Sequence, residues 1–214
     1  QGDFQLARVL AEHALAIADS HKHPASLASA CLGAGFVYLL QSDIVAAVPL
    51  LERATMMYAS LHFKNPAAVS MLGWAYALSG RVDESLSLFE RSLDLAAAIK
   101  FLPCNSIWII WWGEAHLRQG RLSEAMDRAV RALDLARAQQ EPAYEAYALH
   151  LVGEITARRD PSTAGETERH YREAMAIAER LGLRPLVARC CLGLGALSRQ
   201  IGDRVRAEER LTMA

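Results

Sequence analysis

Residues 107–121 read IWIIWWGEAHLRQGR, with three of the chain's four tryptophans and two glycines seven apart, Gly113 and Gly120. That glycine spacing recurs. Taking Gly113 as an anchor, its equivalents are Gly35, Gly73, Gly153 and Gly195, at steps of 38, 40, 40 and 42 residues. Seven residues after each anchor stands a turn-forming residue: Ser42, Gly80, Gly120, Asp160 and Gly202. A helical pattern then follows, as from Val82 (VDESLSLFERSLDLA), Leu122 (LSEAMDRAVRALDLA) and, at the N-terminal side, Phe4 (FQLARVLAEHALAIA). Self-similarity at 20 to 50 residues marks a solenoid, in which each unit buries its apolar face only against its neighbours.

Each unit reads as two helices. In the second, apolar residues return every three or four positions, as in Leu86, Phe89, Leu93 and again Met126, Val130, Leu133, which is one face of a 3.6-residue helix. The first helix carries the anchor glycine in its middle. Glycine there costs about 1 kcal/mol relative to alanine, so its recurrence predicts close helix–helix approach. Pro24, Pro66, Pro103, Pro142 and Pro185 each precede an anchor by seven to eleven residues. Proline suits the first helical turn, where its missing N–H has no partner anyway. Pro161 falls in a loop over 160–165, and Pro49 falls inside a second helix, where it is expected to kink the helix or delay its start.

The pattern resembles tetratricopeptide repeats. The small, glycine and aromatic positions of that family's first helix match LGWAY at 72–76 and WGEAH at 112–116; those of its second helix match Ser85, Phe89, Ser92 and also Ala47, Leu51, Ala54. The resemblance covers nearly the whole chain, with a period of about 40 residues instead of the family's 34. It implies an all-α, TPR-like α-solenoid of stacked antiparallel helix pairs in a right-handed superhelix. The expected divisions are a half-repeat 1–22, repeats 23–62, 63–100, 101–140 and 141–182, and a truncated repeat 183–214, all part of a longer protein. ALHLVGEI (148–155), RDP (159–161), YREA (171–174) and LRPLVARC (183–190) are similar to the C-terminal repeat region of large bacterial adenylate/guanylate cyclase or LuxR-type ATPase signalling proteins. That resemblance implies a cytoplasmic regulatory region whose catalytic domains lie elsewhere.

Bulk properties narrow the function. Net charge is −1, which argues against nucleic acid as the main partner. No apolar run is long enough to span a bilayer. Hydrophobic residues make up 52% of the chain, ample for a continuous core. Cys31, Cys104, Cys190 and Cys191 show no CxxC and no histidine at ligand spacing, so buried thiols are expected and no metal or cofactor. Residues 1–107 carry 16 charged side chains and residues 108–214 carry 31. Drift among repeats accounts for this; so does a first half that packs against another domain or subunit. No GxxxxGK[ST], HExxH or GxSxG is present, so no catalytic residues are expected.

The resemblance places first helices along a concave groove. Counting from the anchors gives Leu32, Phe36, Leu39 and Leu40, then Ser70, Trp74, Ala77 and Leu78. The third unit gives Ile107, Ile110, Glu114, Leu117 and Arg118; the fourth, Tyr147, His150, Glu154, Ala157 and Arg158; the fifth, Arg189, Leu192, Ala196, Arg199 and Gln200. Such a surface, apolar at one end and charged at the other, suits a peptide or helix. Trp112 is expected in the core, and Trp108 or Trp111 part-exposed as an anchor for a partner. His150, Glu154 and Arg158 stand four apart; the row reads either as a surface ladder of i,i+4 pairs or as a holder for an anion. His116 takes the repeat position of Tyr76 and is expected to be packed, while His21, Lys22 and His23 read as a solvated loop. The function expected is a non-catalytic protein–protein interaction region that binds a peptide, a protein segment or its own missing domains, with self-association through uncapped ends. The alternative is a sensor that encloses a small molecule or peptide near Trp74, Trp111, Arg118 and His150.

Overall fold

The computed structural model describes residues 4–100, 105–159 and 161–200. Among them are ten α-helices, one 3₁₀ turn and no strand. In order these are α1 (Phe4–His21), α2 (Pro24–Leu40), α3 (Ile44–Ser60), α4 (Pro66–Leu78), α5 (Val82–Ala98), α6 (Asn105–Arg118), α7 (Leu122–Ala138), α8 (Pro142–Arg159), the turn Pro161–Thr163, α9 (Ala164–Arg180) and α10 (Arg184–Gln200). They fall into two compact units, Asp3–Pro103 and Cys104–Ala214. In the first, α2 packs on α3 and α4 on α5, with α1 against α2 and α3 against α4. In the second, α6 packs on α7 and α8 on α9, and the first helices α6, α8 and α10 also touch in series.

The turns repeat because the same backbone device closes each helix. Ser42, Gly80 and Gly120 all have positive φ (61°, 88° and 73°). At the first, Ser42 N–H donates to Leu39 O (3.0 Å) and Asp43 N–H to Tyr38 O (2.9 Å), a Schellman pair that satisfies the last carbonyls of α2. Asp43 then accepts from Ala46 N–H at 3.2 Å and starts α3, so one short link ends a helix and begins the next. Asp160 and Gly202, the other two turn positions, lie outside the described residues. A second left-handed register was not read from the sequence: Lys22, His62, Lys100, Gln140 and Gly182 end the second helices, all with positive φ. Pro24, Pro66 and Pro142 open α2, α4 and α8, and Pro185 is the second residue of α10; Pro103 lies outside the described residues. Pro49 does not delay α3, which starts at Ile44 and runs through it. The lost bond is one that Val45 O would have accepted, and Val45 is 88% exposed, so water can take that place.

The anchor glycines are the tight contacts. A Cβ built on Gly35 would stand 2.7 Å from Leu51 Cγ, and one on Gly73 3.3 Å from Leu88 Cβ. On Gly113 it would meet Leu151 Cδ2 at 2.9 Å, and on Gly153 the Tyr171 ring at 3.0 Å. The residues facing Gly35, Gly73 and Gly153 from the second helix are Leu51, Phe89 and Tyr171, all fully buried, while Gly113 has the Arg128 Cβ at 3.3 Å from its Cβ position. Small residues beside them complete the fit: Ala47, Ala54, Ser85, Ser92, Ala125, Ala132, Thr167 and Ala174 are all 0% exposed. Arg128 lays its guanidinium over the Trp112 ring, 3.7 Å from its centroid, a cation–π contact.

Trp108, Trp111 and Trp112 are all buried, at 2%, 6% and 6% exposure. Neither Trp108 nor Trp111 is the part-exposed anchor that the sequence suggested. A helix packed on nearly every side is apolar all round, and α6 buries Ser106, Trp108–Gly113 and Ala115–Leu117. His116 is packed as expected, its ring stacked on Trp112 with centroids 6.1 Å apart. Cys31, Cys190 and Cys191 are buried free thiols, and burial pushes Cys190 up to about 12; Cys104 lies outside the described residues. No helix among the described residues is long and apolar enough to cross a membrane.

Candidate functional site

On each first helix, distance from the anchor glycine decides which side chains stay accessible. Those one residue after it (Phe36, Trp74, Glu114, Glu154) and five after it (Leu40, Leu78, Arg118, Arg158) remain partly or fully exposed. So do Ile107, Tyr147 and Arg189, six before it. Steps of seven and four residues trace one stripe along a helix. The groove expected from sequence was broader, and the structure narrows it. Three before the anchor, Ser70, Ile110 and His150 are buried, at 0%, 1% and 3% exposure, whereas Leu32 is partly buried and Leu192 of α10 is 50% exposed. Four after it, Leu39, Ala77 and Leu117 are buried too. These positions face the neighbouring helices: Ser70 Oγ, for example, pairs with Ser92 Oγ on α5.

In the unit Asp3–Pro103 the stripe is apolar, with Phe36 and Trp74 half-buried. In the unit Cys104–Ala214 it is charged, and six of the predicted residues come together across α6, α8 and α10. Arg189 Nη2 donates to Glu114 Oε1 at 2.9 Å, joining α10 to α6. Arg158 Nη2 lies 3.6 Å from Glu154 Oε2, and its Nη1 donates to Leu117 O at 3.4 Å. Glu154 Oε1 accepts from Tyr171 O–H at 3.0 Å. Tyr147 sits half-buried on the same face; burial, then the charge of Glu114, raises its hydroxyl above the usual tyrosine range, with Arg189 opposing. Arg118 is exposed at the end of α6, and Arg199 near the end of α10, outside the stripe.

His150 lies beneath this cluster. Its Nε2 makes no hydrogen bond and stands 4.0 Å from Glu154 Oε1. Burial, and then the positive charge of Arg189, bring its pKa down to about 3, against a smaller opposing effect from a hydrogen bond to the Arg189 backbone. The ring is therefore neutral at pH 7, and the His150–Glu154 rung of the predicted ladder is not ionic; the Glu154–Arg158 rung forms. Tyr171 is the participant missed from sequence. Its ring lies 5.6 Å from that of His150, and its place opposite Gly153, as Phe89 is opposite Gly73, was the available signal.

The face carries charge of both signs: Glu114 and Glu154 are hydrogen-bond acceptors, and Arg118, Arg158 and Arg189 are donors. His150, the histidine of this cluster, is buried and neutral. His21, Lys22 and His23 are exposed, with His23 Nδ1 accepting from Ser26 N–H at 3.3 Å to cap α2. No cluster of metal-ligating side chains occurs among the described residues.

No family model matches the chain, and no curated protein matches it in sequence. Solved structures do. A Rap conjugation gene regulator of the plasmid pLS20, in complex with the Phr* peptide, superposes with a TM-score of 0.77 at 17% identity, over 92% of this chain and 54% of that one. The TPR-like repeats of a kinesin light chain from Podosopora anserina give 0.61 at 19% identity, over 89% and 94%. BtubC from P. vanneervenii gives 0.69 at 16%, over 99% and 89%. At these identities the likeness shows the fold alone, and that fold is an all-α solenoid of stacked TPR-like helix pairs.

Proposed function

We propose that the first-helix face of the unit Cys104–Ala214 binds an extended peptide or protein segment, without catalysis. The observation that carries this is the repetition of charged residues at the same two repeat positions, Glu114 and Arg118 on α6 and Glu154 and Arg158 on α8, with Arg189 of α10 bonded to Glu114. A face with both signs of charge in fixed register selects a segment by its charge pattern. The Rap regulator of pLS20 is a structure of this fold solved with a peptide. The similarity of 148–190 to repeat regions of bacterial cyclase or LuxR-type ATPase proteins supports a regulatory setting, with the segment supplied by a partner or by other domains of the same polypeptide.

Selection of random peptides displayed on phage against the purified protein tests this. Enriched peptides should bind at least tenfold more weakly to the Arg118→Met/Arg158→Met variant. They should bind unchanged to Arg131→Met, which removes an exposed charge from α7. Failure to enrich any peptide, or equal binding to both variants, would sink the proposal.

A second copy of this chain is a further partner we propose. Leu6, Leu10 and Ile17 of α1 are 53%, 58% and 62% exposed, and their spacing of four and seven residues places them on one stripe of that helix. Sedimentation velocity should show a dimer that Leu10→Glu/Ile17→Glu converts to monomer; a monomeric wild type across concentrations would exclude it.

A further inference from the structure

The helix α4 is 13 residues long, about one turn shorter than α2, α8 and α10. Pro66 opens it seven residues before its anchor glycine, whereas Pro24 and Pro142 open α2 and α8 eleven residues before theirs. Four residues are about one helical turn. Beside the start of α4 the unit Asp3–Pro103 has a cleft of about 370 Å³, lined from α3 by Thr55, Tyr58 and Ala59, from the link to α4 by His62 to Asn65, and by Ala68, Val69, Arg91 and Leu95. The link Leu61–Asn65 that replaces the turn adds Phe63 and Lys64 to the wall.

The lining has a definite chemistry. Tyr58, Ala68 and Val69 are buried at 8%, 1% and 4% and form an apolar floor. Phe63 is 59% exposed, its ring 5.6 Å from that of Tyr58. The floor's polar atoms are already engaged: Tyr58 O–H with Ser29 Oγ at 3.0 Å, Thr55 Oγ1 donating to Leu51 O at 2.8 Å, and Asn65 Oδ1 accepting from Ala68 N–H at 3.1 Å. The charged liners are Lys64 and Arg91, and none of the lining residues is Asp or Glu. Among the described residues neither cation is in an ion pair. An apolar concavity of this size with a few polar groups at its mouth is the usual form of a small-molecule site, and unpaired cations around it favour an anionic end on the ligand.

We propose that this cleft binds a small apolar carboxylate, its ring or chain against Tyr58, Phe63 and Val69 and its carboxylate between Lys64 and Arg91. The site is separate from the charged face above and stands or falls apart from it. A chain-terminal aromatic residue with its free carboxylate offers the same chemistry from a second source, and the test separates the two.

Two-dimensional NMR titration of the whole chain with 3-phenylpropionate, and with its uncharged amide, reads the proposal directly. Shifts should be confined to amides of residues 55–69 and 91–95, and the carboxylate should bind at least tenfold more tightly than the amide. Lys64→Met/Arg91→Met should remove that preference, and Ala59→Phe, which fills the cleft from α3, should abolish binding of both, with remote amides unmoved as the check on folding. Tighter binding by acetyl-Ala-Phe with a free carboxylate than by 3-phenylpropionate would assign the source to a peptide terminus. Equal affinity for carboxylate and amide, a preference that survives in the double variant, or shifts elsewhere or none at all would overturn it.

Discussion

Arg189 on α10 and Glu114 on α6 are 75 residues apart in sequence and joined by a hydrogen bond of 2.9 Å. The pair bridges two first helices across α8. Arg189 is 44% exposed and Glu114 15%, so solvent screens the interaction, and such pairs contribute about 0.2–1 kcal/mol. A double-mutant cycle of Glu114→Gln and Arg189→Met, read by urea unfolding, should give a coupling energy of about 0.5 kcal/mol that shrinks in high salt. A coupling near zero would mean that α6 and α10 are held by packing alone.

The glycines divide into two kinds with opposite expected responses. Tyr171 is wedged between Gly153 and Gly193: a Cβ at Gly193 would stand 2.6 Å from its Cζ. The ring cannot retreat, because Gly153 backs it and its hydroxyl is tied to Glu154. Overpacking of this kind costs about 1–3 kcal/mol, which outweighs the roughly 1 kcal/mol that alanine gains in a helix. Gly193→Ala should therefore lower stability by about 1 kcal/mol or more. Gly33, in α2, has nothing within 4 Å of the Cβ position, so Gly33→Ala should raise stability by about 0.5–1 kcal/mol. Thermal unfolding of the two variants side by side checks the sign.

Ser42 holds the left-handed conformation that glycine holds at Gly80 and Gly120. A non-glycine residue there is strained by about 1 kcal/mol. Ser42→Gly should raise the melting temperature, while Gly120→Ala should lower it by an equivalent of about 1 kcal/mol. If both changes proved neutral, the links would not be set by this backbone geometry.

The period, the anchor glycines and the first turn register were legible because each depends on a residue with a distinctive backbone: Gly, Pro, or Ser before Asp. The second turn register was not, because Lys22, His62, Lys100 and Gln140 occupy left-handed positions without the residue type that announces them. The charged face was legible residue by residue, as at Glu114, Arg158 and Arg189, but its phase was not. Whether a position three before the anchor faces solvent or the next helix depends on inter-helix packing, and His150 and Ser70 face inward. The same holds for Trp108 and Trp111, since spacing along one helix does not say how many neighbours surround it. The cleft beside α4 did leave a trace, in Pro66 standing four residues late, but only its neighbours in space give that shift a meaning.

The burial of His150 makes stability depend on pH in a predictable direction. Its pKa is about 3 in the folded chain, against an ordinary value near 6.5 in the unfolded one. Between these values the unfolded chain binds the extra proton, so stability is fully present above pH of about 6.5 and is lost as pH falls toward 3, by at most about 1.4 kcal/mol per unit. His170, also lowered by burial and then by Arg169, acts in the same direction. Urea unfolding at pH 7 and pH 5 should show a loss of about 1–2 kcal/mol attributable to His150, and His150→Gln should flatten that part of the profile while leaving the contribution of His170. An unchanged pH profile in this variant would show that the ring is hydrated in solution and that the floor of the charged face is open to water.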